Sequence, residues 1–123
     1  MKIKILLTVY NDWENLKEVS VKIYEALKNT KWKNANSQIF LEYAMEQLTK
    51  EQYQISNIDI NIILQKPTIN KYIHKIKNNL SNIININNTQ ISVKATTTDF
   101  LGYIGENKGI AVHAVILINN NES

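Results

Sequence analysis

The side chains best suited to chemistry gather in one short stretch. Three consecutive threonines, Thr96, Thr97 and Thr98, run directly into Asp99, and the chain's three glycines follow at Gly102, Gly105 and Gly109. Hydroxyls and a carboxylate thus stand beside a turn whose glycines signal backbone geometry that other residues adopt poorly. Strand-like apolar runs, Ile91–Ala95 and Ile110–Ile118, flank that turn. A functional site is expected within Ile91–Leu117. His74 and His113, the chain's two histidines, raise metal ligation as a second chemistry. No third ligand stands at a fixed spacing from either, so spacing gives a zinc site no support. Each reads as a surface or core-lining histidine.

The elements that position these groups follow from periodicity. Ile3, Ile5, Leu7 and Val9 recur with period two on one face, as in a half-buried strand. Asn11 with Glu14 forms a capping-box-like start for a helix buried through Trp13, Leu16, Val19, Ile23, Tyr24 and Leu27. Asn36 or Ser37 caps a second helix, with Ile39, Phe40, Tyr43, Ala44 and Leu48 inward and an end near Thr49–Gln52. Ile58, Ile60, Ile62 and Leu64 alternate along a second strand. Pro67 suits the first turn of a third helix, with Ile69, Tyr72, Ile73, Ile76 and Leu80 as its apolar stripe. On that helix His74 is expected to face solvent. Asn85–Asn88 reads as a turn before the strand Ile91–Ala95.

The order β-α-α-β-α-β-β predicts one α/β (α+β) domain over residues 1–123, a two-layer mixed sheet with helices on one face. The last strand is apolar on both faces, which predicts that oligomerisation covers the second.

Composition removes several classes. At 123 residues and 44% hydrophobic, the chain can bury one genuine core. It has no cysteine, so neither disulfides nor thiolate ligands contribute. No apolar run reaches the ~18 residues that a membrane span needs. The run after Lys2 and Lys4 stops at Val9, so no signal peptide is expected. These readings predict a cytoplasmic protein, or one of an organelle interior if the source bears plastids. The net charge is +3, all fourteen basic residues are lysine, and no arginine is present. Arginine is the usual bidentate reader of phosphates and guanine edges, so a nucleic-acid partner is not expected.

Lys94-Ala-Thr-Thr-Thr-Asp99, Leu101-Gly-Tyr-Ile-Gly105, Gly109-Ile-Ala and Ala114-Val together resemble the C-terminal signature of the 2-C-methyl-D-erythritol 2,4-cyclodiphosphate synthases. Upstream, Lys33-Asn-Ala-Asn-Ser37, Asn57-Ile-Asp-Ile-Asn-Ile-Ile and Gln65-Lys-Pro67 resemble further segments of that family, so the likeness spans residues 31–118.

The resemblance implies a homotrimer with sites between subunits and a cytidine diphosphate-type ligand. It implies cyclisation of 4-diphosphocytidyl-2-C-methyl-D-erythritol 2-phosphate with release of CMP, a step of non-mevalonate isoprenoid synthesis. It also implies zinc, and magnesium or manganese between the phosphates. Carried onto this chain, it assigns substrate or nucleotide binding to Ser37, to Gln65, Lys66 and Pro67 at the cytosine turn, and to Ala95, Thr96, Thr97 and Thr98. Thr97 and Thr98 would hold the cytidyl-side phosphate. Asp99 takes the place of a glutamate that binds magnesium or manganese, for which a carboxylate is a suitable hard ligand. Tyr103 takes that of a phenylalanine beside the trimer axis.

The family's N-terminal Asp-x-His pair and its further histidine ligand have no counterpart here. Asn36, Gln38 and Thr68 replace an aspartate, an arginine and a lysine. Glu106-Asn-Lys108 stands for Arg-x-Glu, an exchange that preserves an ion pair while reversing the sign that faces the central cavity. Two functions stay open: a divergent synthase that uses magnesium at Asp99, and a non-catalytic trimeric relative that retains at most the nucleotide pocket.

Overall fold

A computed structural model describes the backbone of Leu7–Thr8 and, with side chains, residues 34–120. The expected helix over 13–27, and the first strand apart from Leu7–Thr8, lie outside these residues. The described elements are β1 (Leu7–Thr8), α1 (Ser37–Lys50), β2 (Tyr53–Ile63), α2 (Ile73–Ile84), β3 (Ile91–Thr96), the single-turn α3 (Gly102–Gly105) and β4 (Ala111–Asn120). Four strands form a mixed sheet in the order β1-β4-β2-β3. β2 pairs parallel with β3 on one side and antiparallel with β4 on the other, and β1 runs parallel to β4. The runs flanking the glycine turn therefore never meet, because β2 lies between them.

One face of the sheet carries the helices, as the sequence pattern predicts. Ile55, Ile58 and Ile84 form the buried centre, with Leu41, Met45 and Leu48 of α1 and Leu80 of α2 packed around them. Ile91 and Val93 of β3 are buried, whereas Ser92 and Lys94, which alternate with them, are exposed. This is the period-two pattern of a half-covered strand. Asn36 caps α1 by accepting from Gln38 N at 3.0 Å, and the helix ends at Lys50 as expected.

Three expectations need correction. On α1 the core-facing stripe is Leu41, Met45 and Leu48. Ile39 stands two residues from Leu41, on the opposite side of a 3.6-residue turn, and is 40% exposed. Pro67 does not open a helix: it lies in a bend, after a cis Lys66–Pro67 peptide. The helical backbone starts later, where Tyr72 N donates to Ile69 O at 2.7 Å. A 3-10 turn, Asn70–Tyr72, precedes α2. Its tighter winding puts Tyr72 out of phase with the helix stripe, and the ring is exposed.

β4 half-buries Ala114, Ile116 and Ile118 on the face toward the helices, while Val112 near the start of that same face is 50% exposed. On the opposite face Val115 and Leu117 remain 49% and 46% exposed in the single chain. Among the described residues no helix is long and apolar enough to cross a membrane.

Candidate functional site

Because β2 and β3 are parallel, their carboxyl ends reach the same edge of the sheet. Ladder pairing runs to Ile63 opposite Thr96, and Leu64 N then donates to Thr96 O at 3.0 Å. Beyond that point the chain turns away twice, through Gln65–Pro67 after β2 and through Thr97–Leu101 after β3. Open α/β sheets bind ligands in such crevices beyond the carboxyl ends of their strands. The two turns are joined directly, since Phe100 N donates to Gln65 Oε1 at 3.0 Å. Residues 65–67 and 96–99, far apart in sequence, thus become neighbours.

The second turn is built from its own polar groups and from unusual backbone. Leu101 N donates to Thr98 O at 2.9 Å, and Thr98 Oγ1 donates to Leu101 O at 2.8 Å. Asp99 N donates to Thr97 Oγ1 at 3.3 Å, and Thr97 Oγ1 stands 3.4 Å from Asp99 Oδ1. Asp99, Phe100 and Gly102 all have left-handed backbone, with φ of 52, 64 and 66 degrees. Gly105 supplies the close approach: a Cβ there would lie 2.2 Å from the Phe100 carbonyl carbon. Gly109 does neither, as a Cβ would meet only the Tyr103 ring at 3.5 Å.

The remaining candidates are placed as follows. Ala95, half-buried, pairs with Ile62, and Thr96, exposed, pairs with Ile63. Lys66 and Pro67 are exposed on the first turn. Ser37 is the exposed first residue of α1, which packs on α2 and β2, and no hydrogen bond of its hydroxyl reaches the two turns. Tyr103 lies on α3 with 70% of its surface exposed. The Lys108 ammonium stands 5.8 Å above its ring and pairs with Glu106 at 2.5 Å. The expected ion pair at 106 and 108 is therefore present within one chain.

Sequence reasoning missed the cross-strand pair behind the crevice. Lys94 Nζ lies 2.7 and 2.9 Å from the two carboxylate oxygens of Asp59 on the helix-free face. The hydrogen bond from Lys94, then one from Ser92, holds the Asp59 carboxyl below its ordinary pKa of 3.8. Parity was the available signal, because both residues occupy outward positions on strands that proved adjacent. Also missed was Phe100, which acts through its backbone amide.

Metal ligation divides by ion. Among the described residues no group of three His, Cys, Asp or Glu side chains could hold a metal. His74 on α2 and His113 on β4 are exposed on separate elements. The described donors therefore do not fit a zinc site. Asp99 is a single exposed carboxylate beside threonine hydroxyls. That suits magnesium, which is often held by one or two carboxylates together with a ligand's phosphates.

The fold defines a small mixed α/β domain with two joined turns, one of them rich in threonine, at the ends of two parallel strands. The chain belongs to the YgbB family, whose model matches residues 19–119. A 2-C-methyl-D-erythritol 2,4-cyclodiphosphate synthase from Francisella tularensis is 46% identical over 90 residues, 73% of this chain and 57% of that protein. The bifunctional enzyme IspD/IspF of Wolbachia pipientis is 40% identical over 93 residues, 76% of this chain and 23% of that protein. Among solved structures, IspF of Plasmodium falciparum in complex with CDP superposes with a TM-score of 0.65 at 40% identity. That match covers 78% of this chain and 63% of that one. The Plasmodium vivax synthase superposes at 0.70 with 30% identity, covering 85% of this chain and 69% of that one. The chain thus spans only part of the curated relatives it matches.

Proposed function

We propose that this chain is a cyclodiphosphate synthase of isoprenoid biosynthesis. It takes 4-diphosphocytidyl-2-C-methyl-D-erythritol 2-phosphate in the crevice between the two turns. The 2-phosphate oxygen attacks the β-phosphorus, the bond from that phosphorus to the CMP oxygen breaks, and CMP leaves. Such an intramolecular phosphoryl transfer needs positioning and charge neutralisation more than covalent help. The observation that carries the reading is the meeting of Gln65–Pro67 with Thr96–Asp99, tied by the Gln65–Phe100 hydrogen bond.

In this reading Lys66 and Pro67 border the cytosine, and Ala95 and Thr96 form the floor. Thr97 and Thr98 hold the cytidyl-side phosphate through hydroxyl and backbone N–H groups, and Ser37 faces the substrate from the start of α1. Magnesium or manganese held by Asp99 would supply positive charge between the phosphates. The exposed Val115 and Leu117, which pair with Asp59 and Asn57, support a trimer that covers the helix-free face. Incubation of the purified chain with substrate and magnesium should release CMP. No CMP under conditions in which the Francisella synthase turns over would reject the activity.

A second reading is favoured by the donor set: a non-catalytic trimeric relative that retains the nucleotide pocket. It predicts CDP binding that Asp99→Ala abolishes, with no turnover. Metal analysis separates the two readings further, since stoichiometric zinc would require ligands that the described residues do not assemble.

A further inference from the structure

We propose that Gln65 is a positioning residue. Its amide oxygen holds the Thr97–Leu101 turn in its left-handed form, and in doing so aims Thr97, Thr98 and Asp99 into the crevice. Two consecutive non-glycine residues, Asp99 and Phe100, hold φ of 52 and 64 degrees. L-residues resist that conformation, because Cβ crowds the neighbouring carbonyl, and it persists only where the surroundings impose it.

At Phe100 the surroundings are two groups, one at its carbonyl and one at its amide. Gly105 leaves room for its backbone, since a Cβ would fall 2.2 Å from the carbonyl carbon. Gln65 Oε1 takes its amide proton at 3.0 Å. Among the described residues the Phe100 amide has no other acceptor, and the Gln65 side-chain nitrogen has no partner. The bonds between Thr98 and Leu101 close the turn, and Thr97 Oγ1 takes the Asp99 amide, but none of these local bonds reaches the Phe100 amide. Gln65 is anchored at the end of β2 by the Leu64–Thr96 backbone bond, so the constraint comes from the sheet itself. The side chain the family likeness gives to the ligand is thus already committed to the backbone opposite.

Amide hydrogen exchange on the free, full chain tests the clamp without any ligand. Gln65→Ala should speed exchange at Phe100 about tenfold, the factor that one hydrogen bond of ordinary net strength supplies. Ile58 and Ile60 of β2 serve as unchanged internal references. Gln65→Glu keeps an acceptor at the same reach and should keep Phe100 slow. Unchanged exchange in Gln65→Ala, equal acceleration in Gln65→Glu, or acceleration that includes β2 would overturn the proposal.

The second arm rests on the nucleotide reading and uses CDP with magnesium as the probe. Gln65→Ala should raise its Kd about tenfold, by loss of that same hydrogen bond. In a Phe100→Gly background, where left-handed backbone carries no Cβ penalty, the same change should cost less than about twofold. Equal losses in both backgrounds would mean direct contact with the nucleotide and would overturn positioning. If the unaltered chain does not bind CDP, the nucleotide reading fails, and the exchange arm alone decides the clamp.

Discussion

The turn that enters β3 and the turn that leaves it both ask non-glycine residues for left-handed backbone, at Asn85 (φ 59) and at Asp99 and Phe100 (φ 52 and 64). The backbone of the entering turn is held mostly by its neighbours, and its one tie to β2, from Gln90 Nε2 to Ser56 O at 2.7 Å, lies past the left-handed residue. Asn85 terminates α2 in the conformation that asparagine tolerates best after glycine. Asn87 accepts from Thr89 N at 3.1 Å, and Gln90 Oε1 accepts from Asn87 N at 2.9 Å. Ser81 Oγ donates to Ile86 O at 2.5 Å. The leaving turn places an aspartate and a phenylalanine in that region and, beyond its local bonds among Thr97, Thr98, Asp99 and Leu101, relies on Gln65 and Gly105 at Phe100. A turn made by local side chains can be repaired locally. A turn imposed from elsewhere in the fold holds its groups in one arrangement, at a cost of about 1–3 kcal/mol per strained residue, and that is where the site candidates lie.

The sharpest way to break this contrast is Gly105→Ala. The added methyl collides with backbone and not with a yielding side chain, so the variant should lose about 3 kcal/mol, at the upper end for overpacking. Urea midpoints measure that loss, and CDP binding should fall with it. Asn87→Ala probes the other turn. Losing the cap should cost about 1 kcal/mol while leaving CDP affinity unchanged. A matched loss of affinity would erase the distinction between the two turns.

Asp59→Asn tests the strand pair that connects them. The folded-state pKa of Asp59 is depressed by Lys94 and Ser92. Its ionisation therefore stabilises the fold above the ordinary value of 3.8, and that contribution is lost as pH falls through the lower folded-state value. The asparagine variant should show a shallower decline of stability in acid and little change near neutrality, since exposed pairs contribute weakly and are screened by salt. Gly109→Ala should have the smallest effect, within about 0.5 kcal/mol, because its methyl would meet only an exposed ring at ordinary contact distance.

Local signals in the sequence carried far. The Asn36 cap, the alternation of β2 and β3, the asparagine turn and the concentration of threonines before the glycines each depend on residues a few positions apart. What escaped depends on partners brought together by the fold. The α1 stripe was misphased because Ile39 and Phe40 are as apolar as Leu41, and only the sheet decides which of them faces inward. Pro67 looked like a helix start because proline suits both first turns and bends. The Gln65–Phe100 bond has no sequence signature, since any residue but proline offers the amide. The Lys94–Asp59 pair required knowing that β2 and β3 are parallel neighbours.

The central place of β2 governs the order in which the molecule can be completed. During synthesis β2, α2 and β3 emerge together, and their parallel ladder can form while β4 is still to come. Until then the far edge of β2 presents unpaired N–H and C=O groups along its length, a template for any other extended chain. β4 closes that edge from a distant part of the sequence, a slow kind of contact to make. A nascent chain stalled before Ala111 would therefore hold a crevice already outlined by its two turns and a sheet still open to aggregation.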